Sequence, residues 1–126
     1  MNQNIIPYFL DNDHGILRSN SSNVELMALV EEQESGLKIR FHGSLGLENH
    51  RELRRVLEDV LARTSRNQIL VDLSRVTSIS SSGFGALVDF RHRLQGSQRS
   101  LRLCNLSADC RQVLHLLNLN TIFDIC

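Results

Sequence analysis

Gln68-Ile-Leu-Val-Asp-Leu-Ser-Arg-Val-Thr-Ser-Ile-Ser-Ser-Ser-Gly-Phe-Gly-Ala-Leu87 sets an apolar run, three serines and a Gly-Phe-Gly segment in close succession. Ile69, Leu70, Val71 and Leu73 form a run too short for a buried helix, and they read as a central strand covered on both faces. Ser80, Ser81, Ser82 and Gly83 then stand where a helix begins. Serine is a strong N-cap residue, and the free N–H groups and dipole of a helix start favour an anion. A phosphoryl group on one of these serines would sit in a receptive spot.

Upstream of this strand, Leu53, Val56, Leu57, Val60 and Leu61 recur at helical spacing, with Arg54, Arg55, Glu58, Asp59 and Arg63 opposite. Asn49 with Glu52 three residues on predicts a capping pair at that helix's start. Earlier still, Leu37, Ile39 and Phe41 alternate with Lys38, Arg40 and His42, the period of a strand with one wet face. A strand from Val24 to about Val30 and the turn Glu34-Ser-Gly36 make it half of a hairpin.

Downstream, Gly83, Ala86, Leu87, Phe90 and Leu94 share one face of a second helix ending near Gln95. Ser100–Cys104 alternates as a strand, and Ser107 caps a third helix through Cys110, Val113, Leu114 and Leu117. Ile122, Phe123 and Ile125 close the chain, with room for a short final strand. The order β-β-α-β-α-β-α predicts an α/β fold, a mixed and mostly parallel sheet with an N-terminal β-hairpin and helices packed on it. Residues 1–23, ending in the polar run Arg18-Ser-Asn-Ser-Ser-Asn23, read as a tail and linker ahead of a single domain over 24–126. The apolar Ile5, Ile6, Tyr8, Phe9 and Leu10 leave two readings of that tail, docked or free.

With 126 residues and 41% hydrophobic content, the chain supports one real core rather than disorder. Residues 1–50 carry three basic and seven acidic groups and residues 51–126 carry eleven and seven, so a net charge of zero hides a polarised chain. Lys38 is the only lysine; arginine suits carboxylate or phosphate pairing, and its scatter among few aromatics argues against nucleic acid. The N-terminus lacks a signal-peptide pattern and no transmembrane span occurs, so a cytoplasmic protein is expected. Cys104, Cys110 and Cys126 are odd in number without CxxC spacing, and are expected as reduced thiols. The Asn20-Ser-Ser22 and Asn105-Leu-Ser107 sequons read as chance matches. His14, His42, His50, His92 and His115 are scattered, and neither a nucleophile elbow nor a P-loop appears. The expectation is a binding protein with no catalytic residues, no metal and no cofactor.

From about Glu25 to Phe123 the chain resembles the STAS domain family. The resemblance rests on the hairpin closing at Gly43-Ser-Leu45, on Val71-Asp-Leu-Ser-Arg-Val76, on Ser81-Ser-Gly-Phe-Gly85, and on Val113-Leu-His-Leu-Leu-Asn-Leu-Asn-Thr-Ile-Phe123. It implies the stand-alone anti-sigma factor antagonist type. Such a protein binds a serine kinase or anti-sigma factor and is released by serine phosphorylation, here at Ser81, with Ser80 and Ser82 as lesser candidates. The alternative is a non-phosphorylated accessory subunit holding an ATPase of a transport complex. Partner contacts are expected at Ser82, Gly83, Phe84, Val88 and Asp72. Phe84 and Val88, four apart, are rotated away from the Ala86/Leu87/Phe90/Leu94 face, which predicts an apolar pair at least partly exposed, read as a partner contact or as a flank of the core. Asp72 has two readings, a turn-satisfying carboxylate or a functional one. Two family acids are replaced, by Ser80 before the acceptor and by Gly46 after the hairpin, so negative charge near the acceptor is expected to be missing.

Overall fold

The alternating residues of the hairpin and the apolar run at Ile69 lie side by side in a six-stranded sheet. This computed structural model describes residues 5–7, 26–34 and 36–126. The strands, in both sequence and sheet order, are β1 (Ile5–Pro7), β2 (Met27–Gln33), β3 (Gly36–Leu45), β4 (Gln68–Ile79), β5 (Ser100–Cys104) and β6 (Asp124–Ile125). β1 to β3 are antiparallel; β3 to β6 are parallel and joined through α1 (His50–Arg63), α2 (Ser81–Gly96) and α3 (Ala108–Leu116). β1 places Ile5 opposite Glu31 and Pro7 opposite Leu29. The polar run at 18–23, the Asn20 sequon, His14 and the expected strand start at Val24 lie outside the described residues.

All three parallel crossovers step in the same direction along the sheet. With right-handed connections that stacks the helices on one face rather than two, a correction to the strand pictured as covered on both sides. Burial follows this geometry. Ala28, Val30, Leu37, Ile39, Phe41, Ile69, Val71, Leu73, Leu101 and Leu103 are buried toward the helices, where Leu53, Val56, Leu57 and Val60 of α1 and Ala86, Leu87, Phe90 and Leu94 of α2 meet them. The opposite face carries Lys38, Arg40, Asp72 and Arg102, with Leu29 and Leu70 half-buried.

β4 runs six residues beyond Leu73. β5 accompanies it only as far as Asp72, so from Leu73 onward β4 is paired on one side alone, by β3. A half-paired strand tolerates outward Ser74, Thr77 and Ser78, which lie beyond the apolar run that marks the strand in sequence. Bulges between Arg40 and His42 and between Gly43 and Ser44 keep β3 in step with it to the pair Leu45–Ile79.

Surface arginines tie elements together. Arg54 and Glu58 pair not with their own helix but across to Asp89 (2.7 Å) and Arg93 (2.6 Å) on α2, while Arg63 and Asp59 pair within α1. Arg99 donates to the carbonyls of Arg66 (2.7 Å) and Thr64 (3.0 Å), fixing the α1–β4 connection. Cys104 and Cys126 are joined as a disulfide, a correction to the reduced thiols expected; their 22-residue separation hid that β6 returns beside β5. Cys110 is free and buried.

Candidate partner-docking site

The end of β4 turns directly into α2. The Ser80 backbone N–H donates to the Leu45 carbonyl (2.9 Å), tying the turn to the end of β3. Ser80 is the N-cap, extended at φ −99° and ψ 179°, and its Oγ accepts from the Gly83 N–H at 3.5 Å, a long and weak bond. Ser81 is therefore the first helical residue and exposed; Ser82 follows it half-buried. Gly83 faces inward, and a Cβ there would stand 2.6 Å from the Leu45 carbonyl oxygen and 2.9 Å from Ile79 Cγ1. The glycine lets the first turn of α2 rest on β3, so Gly83 serves packing. Gly85, with nothing within 4 Å of its would-be Cβ, has no such role.

On the other side of the turn, β3 exits through Gly46 into the single-turn 3-10 helix Leu47–Asn49. Asn49 shapes this exit and does not pair with Glu52. Its buried amide accepts from the Gly46 N–H (3.0 Å) and donates to the Ser44 carbonyl (2.6 Å). The result is an open depression of about 390 Å³ between the two loops, lined by Gly46, Leu47 and Glu48 on one side and Ser78 to Ser82 on the other. Leu47 is 72% exposed, so a large apolar side chain stands at the mouth of a hydroxyl-rich hollow. Leu47 was not singled out in sequence, because a single leucine between glycine and glutamate breaks no pattern.

Glu48 also emerges only in three dimensions. One carboxylate oxygen lies 3.3 Å from where a Cβ on Gly46 would stand, and Ser80 Oγ lies 3.4 Å from the same point. The Glu48 carboxylate and the Ser80 hydroxyl thus flank the Gly46 backbone, and Glu48 lines the same depression as Ser81. The acid is two residues further along than the motif position.

Three expected contact residues lie elsewhere. Phe84 is fully buried, 6.5 Å ring to ring from Phe123. Its angular offset from the main apolar face aims it not at solvent but at the returning C-terminal segment, which the helix considered alone cannot reveal. Val88 is half-buried against the core. Asp72 is buried in mid-strand, roughly 23 Å along β4 from Ile79 at ordinary strand rise. Burial pushes its pKa up, but the Ser74 N–H (2.9 Å), the Asn105 amide (3.1 Å), the Ser74 side chain and Arg40 (3.2 Å) outweigh that. Together they hold the carboxyl well below its usual range. Lys38 adds a cation at 3.5 Å. This network pins β3, β4 and the end of β5, and the structure does not bring it to the serines.

Among the described residues no group of histidine, cysteine, aspartate and glutamate side chains has metal-ligand geometry, and no helix is long and apolar enough to cross a membrane. The family model of the STAS domain matches residues 27–126. The chain belongs to the STAS domain family. A STAS-domain containing protein of Pseudomonas aeruginosa is 30% identical over 100 residues, 79% of this chain and 97% of the relative. Among solved structures, an anti-sigma factor antagonist from Mycobacterium paratuberculosis superposes with a TM-score of 0.72 at 22% identity, covering 86% of this chain and 89% of that one. The Bacillus cell fate determinant SpoIIAA in its phosphorylated form gives 0.59 at 19% identity, covering 79% and 90%. These likenesses identify the fold shared by the STAS domain and stand-alone antagonists.

Proposed function

We propose that this STAS protein is an anti-sigma factor antagonist-type regulator. It binds a serine kinase or anti-sigma factor in the cytoplasm through the face formed by Leu47, Glu48, Ser81 and Ser82, and phosphorylation of Ser81 ends the complex. It acts by binding and catalyses nothing itself. The observation that carries the reading is the placement of Ser81. Its side chain is exposed at the first position of α2, on the rim of the depression and facing a loop topped by an exposed leucine. Leu47 supplies an apolar anchor of the kind that dominates docking energetics, and the serines surround it with neutral hydroxyls. A phosphoryl group adds about −1.5 to −2 charges to the serine side of that rim, across from Glu48. The helix start tolerates the charge within the free protein, whereas a partner packed against Leu47 would have to desolvate it beside Glu48.

Purification of the tagged chain from its native host, with its bound partner and its intact mass read together, tests the proposal. The expected result is a kinase-like or anti-sigma partner held only by the fraction without a phosphoryl group, and a phosphorylated fraction mapped to Ser81. A transport ATPase held by an unmodified chain would favour the accessory-subunit reading instead. Phosphate on Ser80 or Ser82 would move the switch by one residue.

A further inference from the structure

Cys104 ends β5 with its side chain buried; Cys126 follows β6 and is exposed. Their Cα atoms are 4.6 Å apart, inside the roughly 4.4–6.8 Å range of disulfides, and the sulfurs are joined. The backbone brings them together independently of that bond. The Cys126 N–H donates to the Leu103 carbonyl (2.8 Å) and the Asn105 N–H donates to the Cys126 carbonyl (3.3 Å). The third thiol, Cys110, is buried on α3 and bonded to neither.

The segment this bond fastens is short and lies at the edge of the sheet. β6 contributes two residues to the sheet, supported by the exposed Arg102–Asp124 pair at 3.4 Å. Its main anchor is Phe123, which packs against Phe84 in the first turn of α2, three residues beyond Ser81. The serine-bearing helix start therefore packs against a short edge segment whose far end is held by two backbone hydrogen bonds and one sulfur pair.

We propose that Cys104 and Cys126 form a reversible thiol–disulfide switch that sets, through Phe123 and Phe84, the order of the serine-bearing start of α2. The oxidant is a low-molecular-weight disulfide. The exposed Cys126, as its thiolate, attacks one sulfur of that disulfide, forming a mixed disulfide and expelling one thiolate. Cys104, losing its proton, then attacks the Cys126 sulfur, closing the protein bond and expelling the second. Two protein thiols and one small disulfide become one protein disulfide and two small thiols. Excess small thiol reverses both steps.

The test equilibrates the full chain in glutathione mixtures from reducing to oxidising, counts thiols by alkylation under denaturing conditions and follows amide hydrogen exchange. In the oxidised protein one alkylatable thiol is expected, at Cys110, with melting raised by about 10 °C from closure of the loop. Amides of residues 81–84 and 119–126 should exchange at least roughly threefold more slowly than in the reduced protein. Cys126→Ser, at an exposed position, should reproduce the reduced pattern under all conditions, and Cys110→Ser should close the bond as wild type does. Three alkylatable thiols under oxidising conditions would overturn the proposal. So would a closed bond that leaves exchange at residues 81–84 unchanged. Neither readout depends on whether Ser81 is phosphorylated.

Discussion

Two alanine substitutions, Gly83→Ala and Gly85→Ala, should move stability in opposite directions although both lie in α2. In an open helix position, replacing glycine by alanine stabilises by about 0.8–1 kcal/mol. Gly85, with no atom within 4 Å of the new methyl, should realise most of that gain. At Gly83 the methyl meets the Leu45 carbonyl oxygen at 2.6 Å, its carbon at 3.1 Å and Ile79 Cγ1 at 2.9 Å. Two of these atoms are backbone in a paired strand and cannot rotate aside, so the first turn of α2 has to lift. Overpacking of this kind costs about 1–3 kcal/mol, and lifting the turn also strains the Ser80-to-Leu45 hydrogen bond. The net expectation for Gly83→Ala is a loss of about 1–2 kcal/mol, leaving the two variants roughly 2–3 kcal/mol apart. Urea unfolding with an unchanged slope reads this directly as a difference in midpoint. A Gly83→Ala protein as stable as wild type would refute the seating of α2 on the Leu45 carbonyl.

Phe84→Ala should lower stability by about 3–5 kcal/mol, as deletion of a buried ring does; a change below about 1 kcal/mol in chemical denaturation would return Phe84 to the surface. Leu47→Ala should leave melting unchanged and weaken partner binding by about 1–2 kcal/mol, and equal binding in a titration would remove Leu47 from the interface. Because the folded-state pKa of Asp72 is depressed, its stabilisation is complete above the ordinary carboxylate pKa of about 4 and declines as pH falls from there toward the lower folded value. Asp72→Asn should therefore cost on the order of 2 kcal/mol at pH 7 and flatten the loss of stability below pH 4, as seen in melting curves at stepped pH. An unchanged acid limb would exclude Asp72 as its source.

The parallel sheet, its hairpin and the face pattern of α2 were legible because each depends on local periodicity: Leu37, Ile39 and Phe41 alternate and are buried as read. Legibility failed wherever a residue's surroundings come from distant sequence. Phe84 lies off the main helical face and is covered by Phe123, 39 positions away, and Cys104 meets Cys126 only because β6 returns beside β5. The polar second half of β4 lies beyond the apolar run read as strand, because no rule of alternation covers a strand paired on one side. At the candidate site the serine cluster and helix start were visible. The loop opposite was not, since Leu47 and Glu48 acquire their place from Asn49, whose amide spans the exit of β3 instead of capping α1 with Glu52. Asp72 resolved to the structural side of its two readings once Arg40, Ser74 and Asn105 converged on it.

The decisive comparison is calorimetric affinity of the recovered kinase or anti-sigma partner for wild type, Ser81→Ala and Ser81→Asp, with melting of each variant recorded alongside. Ser81→Ala should bind within about twofold of wild type, and Ser81→Asp at least about tenfold more weakly, a difference of roughly 1.4 kcal/mol. Both should melt as wild type does, since a carboxylate at the first helical position is favourable. Equal affinities for the two variants, with both folded, would contradict a phosphorylation switch at Ser81.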